Sequence, residues 1–191
     1  DLVQNQFGLK PLSQHDNYML YRNDASTYPI LHKDLAFLST TSGSTGDPKL
    51  VRLSANNLKS NALSIIEYLN ITPNDRAITS LPINYSYGLS VVNSHLLASA
   101  TIVLSDHSLM EREFWQKINT HNVTSFAGVP YHFEMLLRLG LKRIKIPSIN
   151  KITQAGGRLI SEKIEKIYTF CEDKNIKFWV MYGQTEASPR M

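Results

Sequence analysis

Residues 41 to 49, Thr-Ser-Gly-Ser-Thr-Gly-Asp-Pro-Lys, bring four hydroxyls, two glycines and a lysine into nine positions. Glycine lets backbone N–H groups approach and wrap an anion, hydroxyls donate further hydrogen bonds, and an ammonium adds a point charge. The chemistry this composition suits is a phosphate cradle built from Thr41, Ser42, Gly43, Ser44, Thr45, Gly46 and Lys49. A flexible hairpin tip has the same composition and stays open as the plainer reading. A Walker loop is excluded, because Gly46 is followed by Asp47, Pro48, Lys49 and Leu50 and the adjacent Gly-Lys-Ser/Thr is absent. The cradle also lies between two strands, where a Walker loop would open directly into a helix.

Three later segments have residue types of interest. Ala155-Gly156-Gly157-Arg158-Leu159 places paired glycines after an apolar run, and bare backbone there admits a flat ligand, although a simple tight turn reads equally well. Leu81-Pro82-Ile83-Asn84-Tyr85-Ser86-Tyr87-Gly88 carries two tyrosines that suit either core packing or a pocket wall. Tyr182-Gly183-Gln184-Thr185-Glu186 sets an aromatic ring, a hydroxyl and a carboxylate within five residues of another apolar run. Gly128-Val129-Pro130 is a turn of a common kind.

Composition narrows the alternatives. The 191 residues carry a formal net charge of +4 with basic residues scattered, apart from Lys142, Arg143 and Lys145, which read as a solvated loop; a nucleic-acid groove is not indicated. The single cysteine, Cys171, can form no internal disulfide, which fits a reducing, cytoplasmic compartment. It falls in helical register with Ile160, Ile164, Ile167 and Tyr168 and reads as a buried apolar residue. No apolar run reaches the length of a membrane span, and the start, Asp1-Leu2-Val3-Gln4-Asn5, lacks the pattern of a signal peptide. The histidines show no ligand spacing, and neither Cys-x-x-Cys nor Gly-x-Ser-x-Gly occurs.

The elements that must position these segments alternate. Residues 1–34, polar and interrupted by Pro11 and Pro29, read as an irregular arm. Leu35 to Thr41 and Lys49 to Leu53 read as two strands of a hairpin around the cradle. Ser54 caps a helix from Ala55 to Leu69. Strands follow at Arg76–Ser80, Ala100–Leu104, Thr124–Ala127, Lys151–Ala155 and Lys177–Met181. Helices lie between them at Leu89–Ala98, Glu111–Asn119, from Pro130 through Leu139, and at Ser161–Asp173. This order predicts an α/β domain over 35–191 with a mostly parallel sheet flanked by helices, and ligands gathered at the carboxyl ends of the strands.

Taken in order, these segments resemble the signature motifs of the adenylate-forming superfamily, which includes acyl-CoA synthetases, peptide-synthetase adenylation domains and luciferases. The resemblance runs from about Leu35 to Met191. It implies that the chain is part of the large N-terminal domain, with the cradle holding the phosphates of ATP. It places Tyr85, Gly88 and Gly156 at the acid pocket, and Gly156, Gly157 and Arg158 beside adenine and the acyl group. It assigns Tyr182 and Gly183 to adenine, Thr185 to the α-phosphate, and Glu186, with Thr45, to Mg²⁺. A purine face, a phosphate donor and a carboxylate beside a hydrated cation are chemically sensible roles. Many relatives carry histidine where this chain has Tyr85.

The implied reaction is attack of a small-molecule carboxylic acid on the α-phosphorus of ATP, with transfer of the acyl group to coenzyme A or to the phosphopantetheine of an acyl carrier protein. No side chain need act as nucleophile; Lys49, Thr185 and Glu186 would serve by positioning and charge stabilisation. Family members continue with a ribose-binding aspartate, a hinge and a mobile C-terminal lid domain, so the resemblance predicts an incomplete site with little turnover of its own. A non-catalytic nucleotide-binding or interaction module that kept the fold is the alternative.

Overall fold

The computed structural model describes residues 9–16, 18–23, 30–41, 49–187 and 190. Contacts divide the chain into two compact units, Asp1–Lys33 and Asp34–Met191. Within the first, β1 (Leu9–His15) and β2 (Tyr18–Asn23) pair as an antiparallel hairpin. The irregular arm expected over residues 1–34 therefore holds ordered strands. Pro11, which suggested irregular chain, sits where the register shifts between Pro11 and Ser13, a bulge that tolerates a missing N–H.

The second unit opens with β3 (Leu35–Thr40) and β4 (Leu50–Ser54), an antiparallel pair closed by the Thr41 N–H donating to the Lys49 carbonyl at 3.1 Å. Residues 42–48 lie outside the described residues. Helix α1 (Ala55–Leu69) begins at a reciprocal cap: Ser54 Oγ accepts from the Asn57 N–H at 3.1 Å, and Asn57 Oδ1 accepts from the Ser54 N–H at 3.0 Å. Such a cap satisfies orphan helix donors and contributes about 1 kcal/mol. The helix ends on Asn70 at φ 49°, a left-handed cap that asparagine tolerates.

Then strand and helix alternate: β5 (Arg76–Ile78), α2 (Ser86–Leu97), β6 (Thr101–Val103), α3 (Arg112–Thr120), β7 (Ser125–Gly128), α4 (Pro130–Leu139), β8 (Lys151–Gln154), α5 (Ser161–Asp173) and β9 (Lys177–Val180). The five strands form one parallel sheet in the order β6-β5-β7-β8-β9. Helix α2 starts three residues before the expected Leu89. Gly88 permits this, because a Cβ there would collide with the Pro82 carbonyl.

Side chains alternate across the sheet and separate two cores. Ile78, Phe126 and Ile152 face one way, with Phe114 and Ile118 of α3, Phe133 and Leu136 of α4, and Ile167 and Cys171 of α5. Phe126 meets Phe114 and Phe133 edge-on, both at 6.3 Å between ring centres, a geometry that adds about 1 kcal/mol per pair beyond burial. Ala77, Ala127 and Ala155 face the other way, small enough for Tyr87 and Val91 of α2 to approach closely. On α5, Cys171 and Ile167 are buried, and burial pushes the thiol up to about 12. Ile160 and Tyr168, expected on that same face, are exposed. Ile160 precedes the first helical turn, and Tyr168 lies 100° around the axis from Ile167.

Candidate functional site

Because the strands are parallel, the loops that leave β8 and β9 emerge together at the carboxyl ends of the strands. They enclose a cleft of about 680 Å³ with the end of β3 and the amino end of α2. The chain path changes direction between neighbouring β5 and β7, the position where open α/β sheets collect ligands. Thr41, Tyr85, Ser86, Tyr87, residues 154–159, residues 180–186 and Arg190 line the cleft.

The glycine turn after β8 is held from below. Gly156 has φ +78°, and a Cβ there would strike the Tyr85 hydroxyl and stand 2.9 Å from a Val129 methyl; one on Gly157 would come within 3.1 Å of the Pro130 ring. Buried Gln154 donates through Nε2 to the Gly157 carbonyl at 2.9 Å and the Ala155 carbonyl at 3.3 Å, which fixes the turn. Tyr87, also buried, shares a 2.8 Å hydrogen bond with Thr153, and burial pushes its hydroxyl up to about 12, so it stays neutral. Tyr85 stands edge-on to Tyr87, with ring centres 6.3 Å apart.

After β9, the Met181 N–H continues the pairing by donating to the Gln154 carbonyl at 2.8 Å. The chain then turns through a 3-10 segment, Thr185–Ala187. Thr185 Oγ1 lies 3.4 Å from Ser86 Oγ in the first turn of α2. Tyr182 projects with 67% of its surface exposed. Glu186 and Arg158 are exposed, and among the described residues Glu186 forms no ion pair.

The cleft thus brings together Thr41, Tyr85, Gly156, Gly157, Arg158, Tyr182, Gly183, Thr185 and Glu186. Gly88 is placed elsewhere, buried in α2 under Pro82, where it serves close backbone packing and not the cleft wall. Lys49 is exposed, at the base of its loop. Ser42, Gly43, Ser44, Thr45 and Gly46 lie outside the described residues. Sequence reasoning passed over Ser86, Gln154 and Arg190. Gln154 carried a signal, a polar residue closing the apolar run of β8; Ser86, Ser90 and Ser94 carried another, hydroxyls spaced four apart on one helix.

Residues 6–191 match the family model described as AMP-binding enzyme. The 2-succinylbenzoate–CoA ligase of Bacillus subtilis is 32% identical over 153 residues, covering 80% of this chain and 30% of the ligase. The PKS-NRPS hybrid synthetase ATPKS of Aspergillus niger is 28% identical over 179 residues, 92% of this chain and 9% of that protein. Among solved structures, the o-succinylbenzoate coenzyme A synthetase of Bacillus subtilis in complex with ATP and magnesium ion superposes with a TM-score of 0.67 at 30% identity, over 80% of this chain and 31% of that one. Its complex with AMP gives 0.68 at 31% identity, over 80% and 30%. The chain spans about a third or less of the length of each of these relatives. With the family model matched across nearly its whole length and the parallel sheet shared with a CoA synthetase, this chain belongs to the AMP-binding, adenylate-forming enzyme family, and its fold is that of the family's N-terminal domain.

Proposed function

We propose that the intact protein activates a carboxylic acid with ATP, forming an acyl-adenylate and releasing pyrophosphate, and then passes the acyl group to the thiol of coenzyme A or of a carrier-protein phosphopantetheine. The observation that carries this reading is the apposition of the bare glycine turn after β8 to the Thr185–Glu186 turn after β9 across one cleft, a shelf for a flat ring beside a hydroxyl donor and a carboxylate. The relatives named 2-succinylbenzoate–CoA ligase and feruloyl-CoA synthase support the reaction class.

In this reading the Tyr182 ring stacks on adenine, while the Gly156, Gly157, Arg158 and Gly183 backbone lies against its edge and the acyl group. Thr185 donates to an α-phosphate oxygen. The loop that includes Ser42, Gly43, Ser44, Thr45 and Gly46 wraps the outer phosphates, with Thr41 and Lys49 at its base. No group of three or more His, Cys, Asp or Glu side chains that could hold a metal appears among the described residues. A lone exposed Glu186, with Thr45, suits Mg²⁺, a cation that keeps most of its ligands from phosphate and water. Magnesium would neutralise charge that develops on the phosphates.

The protein supplies no nucleophile; its residues orient the acid carboxylate in line with the α-phosphorus and stabilise the charge that forms. Tyr85, beside Gly156, borders the reacting carboxyl. The buried, unpaired Cys171 fits a reducing, cytoplasmic setting, and no helix among the described residues is long and apolar enough to cross a membrane. The test is acid-dependent ATP–pyrophosphate exchange by the intact protein. Thr185→Ala should lower it about a hundredfold, the usual loss of one oriented transition-state donor. An unchanged rate in that variant would refute the role.

A further inference from the structure

Behind the cleft wall formed by Tyr87 and Arg190, the buried face of α2 is polar where a core-facing helix is ordinarily apolar. Helix α2 buries Ser90, Ser94 and His95 beside Tyr87 and Val91. Against this stripe lies Arg190, only 2% exposed. Its Nε donates to Ser90 Oγ at 2.9 Å and its Nη2 to Ser94 Oγ at 3.3 Å, and the guanidinium carbon stands 5.2 Å from the centre of the Tyr87 ring. Both serines spend their own protons on backbone carbonyls, Tyr87 and Ser90 respectively, each at 2.7 Å, so only their lone pairs face the guanidinium. The arginine is hydrogen-bonded but not neutralised: among the described residues it has no ion pair, and no carboxylate contributes to its electrostatic environment.

A buried cation without a counter-charge is costly, and an anionic ligand would supply the missing partner. On the side away from the cleft, Arg190 lines a void of about 20 Å³ beside His95, Ser125 and Lys151, room for one water and no more. Arg190 also lines the cleft of about 680 Å³, which has the room for an anion that the void lacks. The distance from the reacting end follows from the helix. Ser86 marks the Thr185 end, and Ser90 and Ser94, which hold Arg190, lie one and two turns deeper, roughly 6 and 12 Å along the axis.

We propose that Arg190 selects the acid: the substrate carries a second anionic group about 6–12 Å from the carboxyl that is activated, and this group pairs with the guanidinium between Tyr87 and Ser90. The inference rests on the adenylation reading for the site but concerns which acid the site accepts.

The test compares adipate and suberate with hexanoate and octanoate, and succinate with butyrate, on the intact protein, in two readouts. The first is acid-dependent ATP–pyrophosphate exchange. The longer diacids should exceed the matched monoacids roughly ten- to hundredfold in kcat/KM, the range of a charge-assisted hydrogen bond in a desolvated site, and succinate should gain little over butyrate. Arg190→Met should collapse the ratio through the KM of the acid, whereas Arg190→Lys, which keeps the charge, should retain part of it. The second readout is the rise in Tm caused by adipate relative to hexanoate without ATP, lost in Arg190→Met. If adipate raises Tm and the variant abolishes the rise while no acid supports exchange, the adenylation reading falls and the anion site stands. Equal preference for diacid and monoacid in both readouts, or an Arg190→Met defect confined to the KM of ATP, overturns the proposal.

Discussion

Ser86 and Thr185, 99 positions apart in the chain, bring their hydroxyl oxygens to 3.4 Å and so join the first turn of α2 to the turn after β9. The pairing gives Thr185 a fixed neighbour on the side away from its own strand. Ser86→Ala should lower acid-dependent exchange about fivefold, the worth of one neutral hydrogen bond, and mainly through kcat. Combined with Thr185→Ala it should add nothing further, because both substitutions remove one pair. Additive losses in the double variant would show that the two hydroxyls act independently.

Gly156 should not tolerate a side chain. Its φ of +78° costs an L-residue about 1–2 kcal/mol, and a Cβ would meet the Tyr85 hydroxyl and Val129. Gly156→Ala is expected to lower the thermal midpoint by several degrees. Adding Tyr85→Phe removes one collision and should recover part of the loss, leaving the backbone cost. A midpoint equal to that of the parent protein would contradict this account.

At the amino ends of the strands, opposite the cleft, Asp75 is buried and ion-paired with Lys151 at 2.7 Å. Burial pushes the Asp75 carboxyl up, but the hydrogen bond and charge of Lys151 and the bonds from Thr72 and Thr124 outweigh it, so its pKa is lowered. Lys151→Met strands a buried carboxylate and should cost about 3–5 kcal/mol in denaturant unfolding. Asp75→Asn combined with Lys151→Met should recover much of that, since no buried charge is then left unpaired.

His95 provides a pH dependence with a defined sign. It is buried in α2, with Nδ1 2.8 Å from the Val91 carbonyl and Nε2 3.3 Å from Ser125 Oγ. Burial, the largest influence, lowers its pKa from 6.5 to about 4. The unfolded chain therefore binds a proton that the folded chain refuses between those values. Stability is fully present above pH 6.5 and falls as pH drops towards about 4, by roughly 3 kcal/mol from this group. His95→Gln should flatten unfolding free energy over that window, whereas the contribution of Asp75, whose folded pKa is lowered, is lost only at more acid pH. An unaltered slope in His95→Gln would place the proton uptake elsewhere.

Much of the fold was legible because its signals are local. The reciprocal cap at Ser54 and Asn57, the apolar period of α1, and the short strands of β-branched and apolar residues all act within a few positions of one another. The local signal misled where a tertiary contact overrode it. Pro11 was absorbed by a bulge, α2 reached back to Ser86 because Gly88 fits beneath Pro82, and Ile160 and Tyr168 turned outward from the α5 core.

For the site, the chain order alone determined that the glycine turn and the Tyr182–Glu186 segment each follow a strand, and parallel pairing then puts such segments at the carboxyl ends of the strands. Only the tertiary structure decided which side chains meet there. Ser86 with Thr185, and Arg190 against Ser90 and Ser94, are set by the docking of α2 on the sheet and by the path of the chain after β9. Contacts across about a hundred residues at hydrogen-bond range depend on packing of whole elements, which residue type and spacing do not encode position by position.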